Sequence, residues 1–123
     1  MQMDVGQTKI LAVDDNPDIL VTVENFLLSY EFEVETATNA PEALGIIRSG
    51  SVPTILFTDI VMPGAIDGIE LARIVKQSHP RVGILLMTGW SYDNAHGFPV
   101  LLKPFELREL GEWVKDFLAK RVV

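Results

Sequence analysis

The chain has 123 residues, of which 48% are hydrophobic and 22% are charged, a composition typical of one globular domain rather than of a disordered segment. It contains no cysteine, which excludes disulfides and thiolate metal sites and suits a reducing cytoplasm. A net charge of -7 argues against a nucleic-acid-binding surface. Neither a signal peptide nor an apolar run of about 18 residues is present. We therefore expect a cytoplasmic protein that neither binds nucleic acid nor enters a membrane.

The first strand is predicted close to the N-terminus. Residues 1–8 are polar and weakly patterned, so we expect a flexible end, followed by one domain over residues 9–121. The apolar run Lys9–Val13 is typical of a buried strand, and it leads directly into Asp14 and Asp15. The strand therefore delivers two carboxylates to one edge of the sheet.

Two helices with a polar strand between them follow. Asn16 is a good N-cap, and apolar residues at helical spacing predict a helix over residues 17–30. Residues 32–37 alternate with glutamates and predict a strand at the edge of the sheet. Asn39 is the expected cap of a second helix over residues 40–48.

The second half of the chain repeats this alternation. A strand buried on both faces ends in Asp59, and a later one ends at Thr88. The predicted elements are strand 54–59, helix 68–77, strand 83–87, strand 100–102 and helix 107–120. The connection from Trp90 to Pro99 is short for a helix with both its loops, which take about 10 to 12 residues. We therefore expect a fourth helix of one or two turns, or an irregular loop.

Five strands alternating with helices predict an α/β fold, a parallel sheet with helices on both faces. Right-handed crossovers place the carboxyl ends of all the strands at one edge. That edge receives Asp14, Asp15, Asp59, Thr88 and Lys103.

Three converging carboxylates call for a positive partner, since two unit charges about 4 Å apart repel by roughly 1 to 4 kcal/mol. Oxygen ligands without His or Cys favour Mg²⁺. Lys103 adds a fixed cation and Thr88 a hydroxyl donor, so a phosphoryl group arriving at Asp59 would be neutralised. A carboxylate can act as the nucleophile in such a transfer, and the arrangement predicts an aspartyl-phosphate.

The ordered motifs resemble the receiver domains of two-component response regulators over essentially the whole chain. The motifs are Asp14-Asp15, Asp59, Met62-Pro63-Gly64, Asp67-Gly68, Thr88-Gly89 and Lys103-Pro104-Phe105. The resemblance implies a flavodoxin-like fold with strand order 2-1-3-4-5, which places the first and third strands together at the switch point.

The resemblance also assigns roles to individual residues. It implies that Asp59 is the phosphoacceptor, and that Asp14, Asp15, Asp59 and the main-chain carbonyl of Val61 hold Mg²⁺. It further implies a sensor histidine kinase or a histidine phosphotransfer protein as the phosphodonor, with a downstream protein as a further partner.

Other parts of the motif set match or depart from the family. By resemblance, Thr88 supplies the hydroxyl that moves onto the phosphoryl group, Lys103 pairs with that group, and the Lys103–Pro104 peptide is cis. Val100 stands where the family often has an inward-rotating aromatic residue, and Phe98 is out of register, so we expect a different readout.

The loop after the phosphoacceptor strand also departs from the family. Residues 64–67 make it one residue longer than in the shortest receivers. We expect the extra residue to be accommodated at the surface.

Three functions remain open from the sequence. The first is a phosphorylated switch, shuttle or sink, either a stand-alone single domain or one domain of a longer regulator or hybrid kinase. Its only catalysis would be Mg²⁺-dependent self-phosphorylation and self-dephosphorylation. The second is a receiver-like interaction module that works without phosphate. The third, an aspartyl-nucleophile phosphohydrolase, is disfavoured because Asp14 and Asp15 are adjacent rather than two residues apart.

Overall fold

A computed structural model describes residues 8–89 and 97–121 as one parallel five-stranded sheet with helices on both faces. The strand order is β2-β1-β3-β4-β5, which confirms the predicted fold class and topology. The elements are β1 Lys9–Val13, α1 Pro17–Leu28, β2 Glu33–Ala37, α2 Ala40–Arg48, β3 Ile55–Asp59, α3 Gly68–Ser78, β4 Gly83–Thr88, β5 Val100–Leu102 and α4 Leu107–Arg121.

The predicted helix starts are confirmed by their caps. The Asn16 side chain accepts a hydrogen bond from the backbone N–H of Asp18, and Asn39 caps α2 in the same way through Glu42. α1 ends at Leu28, earlier than the predicted end near residue 30. The chain turns there into β2 through Glu31, whose φ of 67° is left-handed and cannot continue a helix.

The core consists of two apolar layers, one on each face of the sheet. One layer packs α2 and α3 against the sheet, and the other packs α1 and α4. Every residue of β3 is buried, as predicted for a strand covered on both faces. β2 is more exposed and lies at the edge of the sheet, also as predicted.

The strand register brings the predicted site residues together. Val13 pairs with Thr58, so the next residues along the chain, Asp14 and Asp59, leave adjacent strands side by side. Asp59 pairs with Met87 on β4. On the far side of β4, the backbone N–H of Lys103 donates to the Thr88 carbonyl over 2.8 Å. Four strand ends therefore meet at one edge.

The first described residue already belongs to the domain. Thr8 is buried, and its carbonyl accepts a hydrogen bond of 2.9 Å from the Glu33 N–H. We predict a flexible end over residues 1–8, of which residues 1–7 lie outside the described part. Residues 90–96, where we predict a short or irregular helix before β5, also lie outside it. Of the helices that the structure describes, none combines the length and the apolar character needed to cross a membrane.

Candidate functional site

Three carboxylates meet at the carboxyl edge of the sheet, as the sequence predicts. Asp14 and Asp59 are buried, Asp15 is exposed, and one oxygen from each lies within 4.8 Å of the others. Asp14 and Asp15 follow β1, and Asp59 is the last residue of the adjacent β3. The parallel pairing of these strands therefore concentrates negative charge at one point.

Asp14 is held on both of its carboxylate oxygens. Its Oδ1 accepts a hydrogen bond of 2.9 Å from the backbone N–H of Asn16, the residue that caps α1. Its Oδ2 accepts one of 2.8 Å from Lys103 Nζ. The side chain is 1% exposed, so this carboxylate is both buried and fixed in orientation.

Lys103 is the positive charge of the site. Its Nζ lies 2.8 Å from Asp14 Oδ2 and 3.4 Å from Asp59 Oδ1, so it contacts both buried acids. The Lys103–Pro104 peptide is cis, which confirms the prediction. Thr88, the other predicted group, is buried at the end of β4 between the strands that carry Asp59 and Lys103.

Burial and the neighbouring charges together shift the pKa values of Asp59 and Lys103. Burial raises the pKa of Asp59, the charge of Asp14 raises it further, and Lys103 opposes both effects without cancelling them. For Lys103, burial lowers the pKa, but the hydrogen bond and charge of Asp14, together with Asp59, raise it overall. The lysine is therefore charged at neutral pH, and its charge does not offset the combined effect of burial and the acidic neighbours on the pKa of Asp59.

The loop that leaves β3 is anchored at its start and its end. The Ile60 N–H donates to the Met87 carbonyl over 2.9 Å, and the Gly68 N–H donates to the Ile60 carbonyl over 2.8 Å. Gly64 and Ala65 are exposed, whereas Ile66 packs against the α2–α3 layer of the core. The middle of the loop thus lies at the surface, where we expect an additional residue to be accommodated.

The position expected to hold an aromatic switch residue contains a partly buried valine. Val100 packs against the α2–α3 layer of the core, and Phe98 packs against the same layer. Phe98 therefore lies near the expected position without occupying it. Trp90 and Tyr92, the other aromatic residues of this connection, lie outside the described residues.

The donor set suits Mg²⁺. Three carboxylates with oxygens within 4.8 Å of one another offer the hard oxygen ligands that this ion prefers. Mg²⁺ usually takes one or two carboxylates and keeps several waters. Three acids share the single ammonium group of Lys103, so a divalent cation would be favoured there. Val61, whose main-chain carbonyl is the fourth predicted ligand, lies two residues after Asp59 in the loop and is exposed.

Comparison with known protein families identifies the family to which the chain belongs. The model of the response regulator receiver domain matches residues 10–115. The chain belongs to this family. This confirms the resemblance that the motifs indicate, and it makes Asp59 consistent with a phosphoacceptor role.

Curated relatives of the receiver are much longer proteins. The chain is 31% identical over 124 residues to the sensor kinase CckA of Brucella abortus, covering 94% of this chain and 13% of the kinase. It is 33% identical over 107 residues to the transcriptional regulator NtrC of Salmonella typhimurium, covering 81% of this chain and 22% of that protein. The chain thus spans less than a quarter of either relative.

Solved receivers share the fold along their whole length. The response regulator TrrA from Thermotoga maritima, solved in complex with Mg²⁺-BeF, superposes with a TM-score of 0.80 at 32% identity. The comparison covers 90% of this chain and 99% of that one. A TM-score of 0.80 over nearly the whole of both chains shows that the two proteins share one fold.

Two features of the site are not predicted by the sequence. Asn16 is identifiable as a cap, but its N–H bond to Asp14 depends on how the turn after β1 folds. Gly68 is recognisable as part of a motif, but its close contact with the backbone of β3 is visible only in three dimensions. Neither feature has a signal in spacing or periodicity.

Proposed function

We propose that this receiver accepts a phosphoryl group on Asp59 from a phosphohistidine of a sensor kinase or a histidine phosphotransfer protein. The observation that carries the proposal is the convergence of Asp14, Asp15 and Asp59 with Lys103 at one sheet edge. Three carboxylates against one lysine leave the ionised site with a surplus of two negative charges, which is costly unless a cation binds. A bound cation would also offset the charge of an arriving phosphoryl group.

The transfer is a displacement at phosphorus. A carboxylate oxygen of Asp59 attacks, an O–P bond forms, the N–P bond of phosphohistidine breaks, and its electron pair returns to the imidazole nitrogen. Lys103, already within 3.4 Å of Asp59 Oδ1, would pair with an oxygen of the arriving group. Thr88 would supply a hydroxyl donor from the adjacent strand.

We assign the metal site to Asp14, Asp15, Asp59 and the main-chain carbonyl of Val61. Mg²⁺ bound there would supply positive charge next to the transferred phosphoryl oxygens. Asp14 would be the rigid member of the set, because Asn16 and Lys103 fix its two oxygens. Asp15, being exposed, would be the ligand that moves most easily.

The same geometry supports slow loss of the group. Attack of water on the acyl phosphate would regenerate the Asp59 carboxylate and release inorganic phosphate. We therefore propose no catalysis beyond Mg²⁺-dependent self-phosphorylation and self-dephosphorylation. The protein would act in the cytoplasm as a switch, shuttle or sink that signals to a downstream protein.

A cavity beside the site supports a protein phosphodonor. It has a volume of about 440 Å³ and lies between α1 and the start of the last connection, with Ile19, Lys103 and Phe105 among its walls. Because Lys103 belongs to both the cavity and the acidic site, a donor seated here would bring its imidazole close to Asp59. Ile19→Glu should slow transfer from a phosphohistidine protein and leave transfer from acetyl phosphate unchanged.

Intact mass after incubation with acetyl phosphate and Mg²⁺ tests the proposal. We expect a labile gain of one phosphoryl group, which is absent from Asp59→Asn and from the wild type with chelator. An adduct of equal size on Asp59→Asn would contradict the assignment of the phosphoacceptor.

A second candidate, a receiver-like interaction module that works without phosphate, is favoured by Val100. This residue packs into the core where the family often has a rotating aromatic residue. If no adduct forms on folded protein shown to bind Mg²⁺, released phosphate separates the two candidates. Release of phosphate would indicate rapid turnover, and its absence would favour the interaction module.

A further inference from the structure

Gly68, the first residue of α3, lies in direct contact with the backbone of the phosphoacceptor. A Cβ atom added to it would lie 1.9 Å from the carbonyl oxygen of Asp59 and 2.8 Å from Ile60 Cα. Side chains do not make such contacts, so any residue other than glycine requires the backbone to move. The backbone of Gly68 is not left-handed, so space and not conformational freedom demands the glycine.

The required movement would fall on the Asp59–Ile60 peptide. α3 is held in place by its buried face, which includes Leu71 and Ala72, and by the Asp67 side chain, which accepts the Glu70 N–H over 2.8 Å. The peptide after Asp59 is held as well, because the Ile60 N–H donates to the Met87 carbonyl over 2.9 Å, but its carbonyl oxygen is the atom that an added Cβ would approach most closely. Separating the two backbones would therefore shift this peptide or break the Gly68 N–H bond to the Ile60 carbonyl.

We infer that Gly68 is a positioning residue for the phosphorylation site, setting the backbone of Asp59 and of the loop that carries Val61. It acts through the close approach of α3 to the Asp59 carbonyl and through its own N–H bond to the Ile60 carbonyl. A displaced peptide would move the Asp59 carboxylate relative to Asp14 and Lys103. The inference rests on the proposed function only for its effect on phosphorylation.

The chain contains two matched controls for Gly68→Ala. At Gly83, the first residue of β4, an added Cβ would lie 2.5 Å from the ring of Phe117, so Gly83→Ala should destabilise the fold by displacing a side chain, not the backbone, at the opposite end of the sheet. At Gly45, within α2, an added Cβ meets nothing within 4 Å. Gly68→Ala tests disturbance of the site, Gly83→Ala tests loss of stability away from the site, and Gly45→Ala tests the effect of a glycine-to-alanine change without a steric contact.

The experiment measures four quantities on the whole chain for each variant. These are the free energy of unfolding, the backbone amide shift of Ile60 without metal, the Kd for Mg²⁺ alone, and the rate of adduct formation with acetyl phosphate. For Gly68→Ala we expect a displaced Ile60 resonance and a Kd about 10-fold to 100-fold weaker. We expect adduct formation to be slower by about 100-fold.

The controls define what would overturn the inference. Gly83→Ala should lose stability while the Ile60 shift, the Kd and the adduct rate stay as in the wild type, and Gly45→Ala should match the wild type throughout. If Gly68→Ala loses Mg²⁺ affinity and adduct rate only in proportion to the fraction of unfolded protein, the positioning role is overturned. So would failure to fold even in a stabilising osmolyte, which would make Gly68 a folding residue.

Failure of the proposed function would be visible separately. If the wild type forms no adduct, the phosphorylation proposal fails, while the Ile60 resonance and the Mg²⁺ titration still decide the role of Gly68. If the wild type forms an adduct and Gly68→Ala forms it equally fast, the inference fails and the proposed function stands.

Discussion

Charged side chains cluster toward both ends of the sheet, but only one of the two clusters has equal numbers of positive and negative charges. At the carboxyl edge, Lys103 contacts the buried Asp14 and Asp59, and the exposed Asp15 adds a third acid to the cluster. Toward the amino end, Lys9 Nζ lies 3.1 Å from Glu35 Oε1, and the Ser51 hydroxyl is hydrogen-bonded to both groups. The second cluster is electrically neutral and partly exposed.

The two carboxylates respond in opposite directions. The hydrogen bond from Ser51 lowers the pKa of Glu35, burial opposes this effect, and Lys9 adds to it. Burial and Asp14 raise the pKa of Asp59. A paired acid stabilises the fold, whereas an acid left with surplus charge is tolerated where a ligand completes its surroundings. The difference separates a structural cluster from a functional one.

The largest expected difference between the two clusters is in Mg²⁺ binding after one acid is removed from each. Asp14→Asn should weaken Mg²⁺ binding by about 10-fold to 100-fold, because it replaces a fixed carboxylate of the proposed metal site with a neutral amide. Glu35→Gln should leave Mg²⁺ binding unchanged. Calorimetric titration measures both, and equal weakening in the two variants would mean that bulk charge, rather than the site, binds the ion.

Removing the two lysines tests the role of the fixed cation. Lys103→Met should slow adduct formation from acetyl phosphate by roughly 100-fold, since it deletes a preorganised positive group. The same variant should bind Mg²⁺ more tightly, because Lys103 no longer competes for Asp14 Oδ2. Lys9→Met is the matched control and should change neither quantity. Weaker Mg²⁺ binding by Lys103→Met would contradict the competition.

The stability of the metal-free protein should rise on Asp59→Asn, by about 1 kcal/mol at neutral pH. The raised pKa means that the ionised carboxyl is disfavoured in the folded state. Stability is therefore lower above the folded pKa, and the wild type recovers it as the pH falls through that value.

Urea unfolding in chelator measures this gain, with Asp116→Asn, on the exposed side of α4, as the control. Saturating Mg²⁺ should reverse the order, because it stabilises only the protein that binds it. A loss of stability on Asp59→Asn in chelator would refute the account of its electrostatics.

The smallest effect is expected at the neutral cluster. Glu35→Gln should lower the free energy of unfolding by about 0.5 kcal/mol at pH 7, because a partly exposed ion pair is screened. The lowered pKa of Glu35 means that its contribution is present above the unfolded pKa and disappears as the pH falls through the folded value. The difference from the wild type, followed by thermal unfolding, should therefore vanish in acid; a difference that persists would indicate lost packing.

The sequence predicts the sheet and the members of the site, because both depend on local patterns. The apolar runs that end in Asp14, Asp59 and Thr88 indicate strands, and parallel topology then brings their ends together. The contacts within the site depend on tertiary geometry that no spacing encodes. Lys103 is closer to Asp14 than to Asp59, Asn16 orients Asp14 through its backbone, and Gly68 touches the Asp59 carbonyl.

The most direct test of the account is to locate the phosphoryl group on the chain. Acyl phosphates are reduced by borohydride, so the protein treated with acetyl phosphate and Mg²⁺ can be reduced, digested and sequenced by mass spectrometry. We predict homoserine at position 59 and unmodified Asp14 and Asp15. Reduction at Asp14 or Asp15, with Asp59 intact in phosphorylated protein, would contradict the assignment of the buried carboxylate of β3 as the phosphoacceptor.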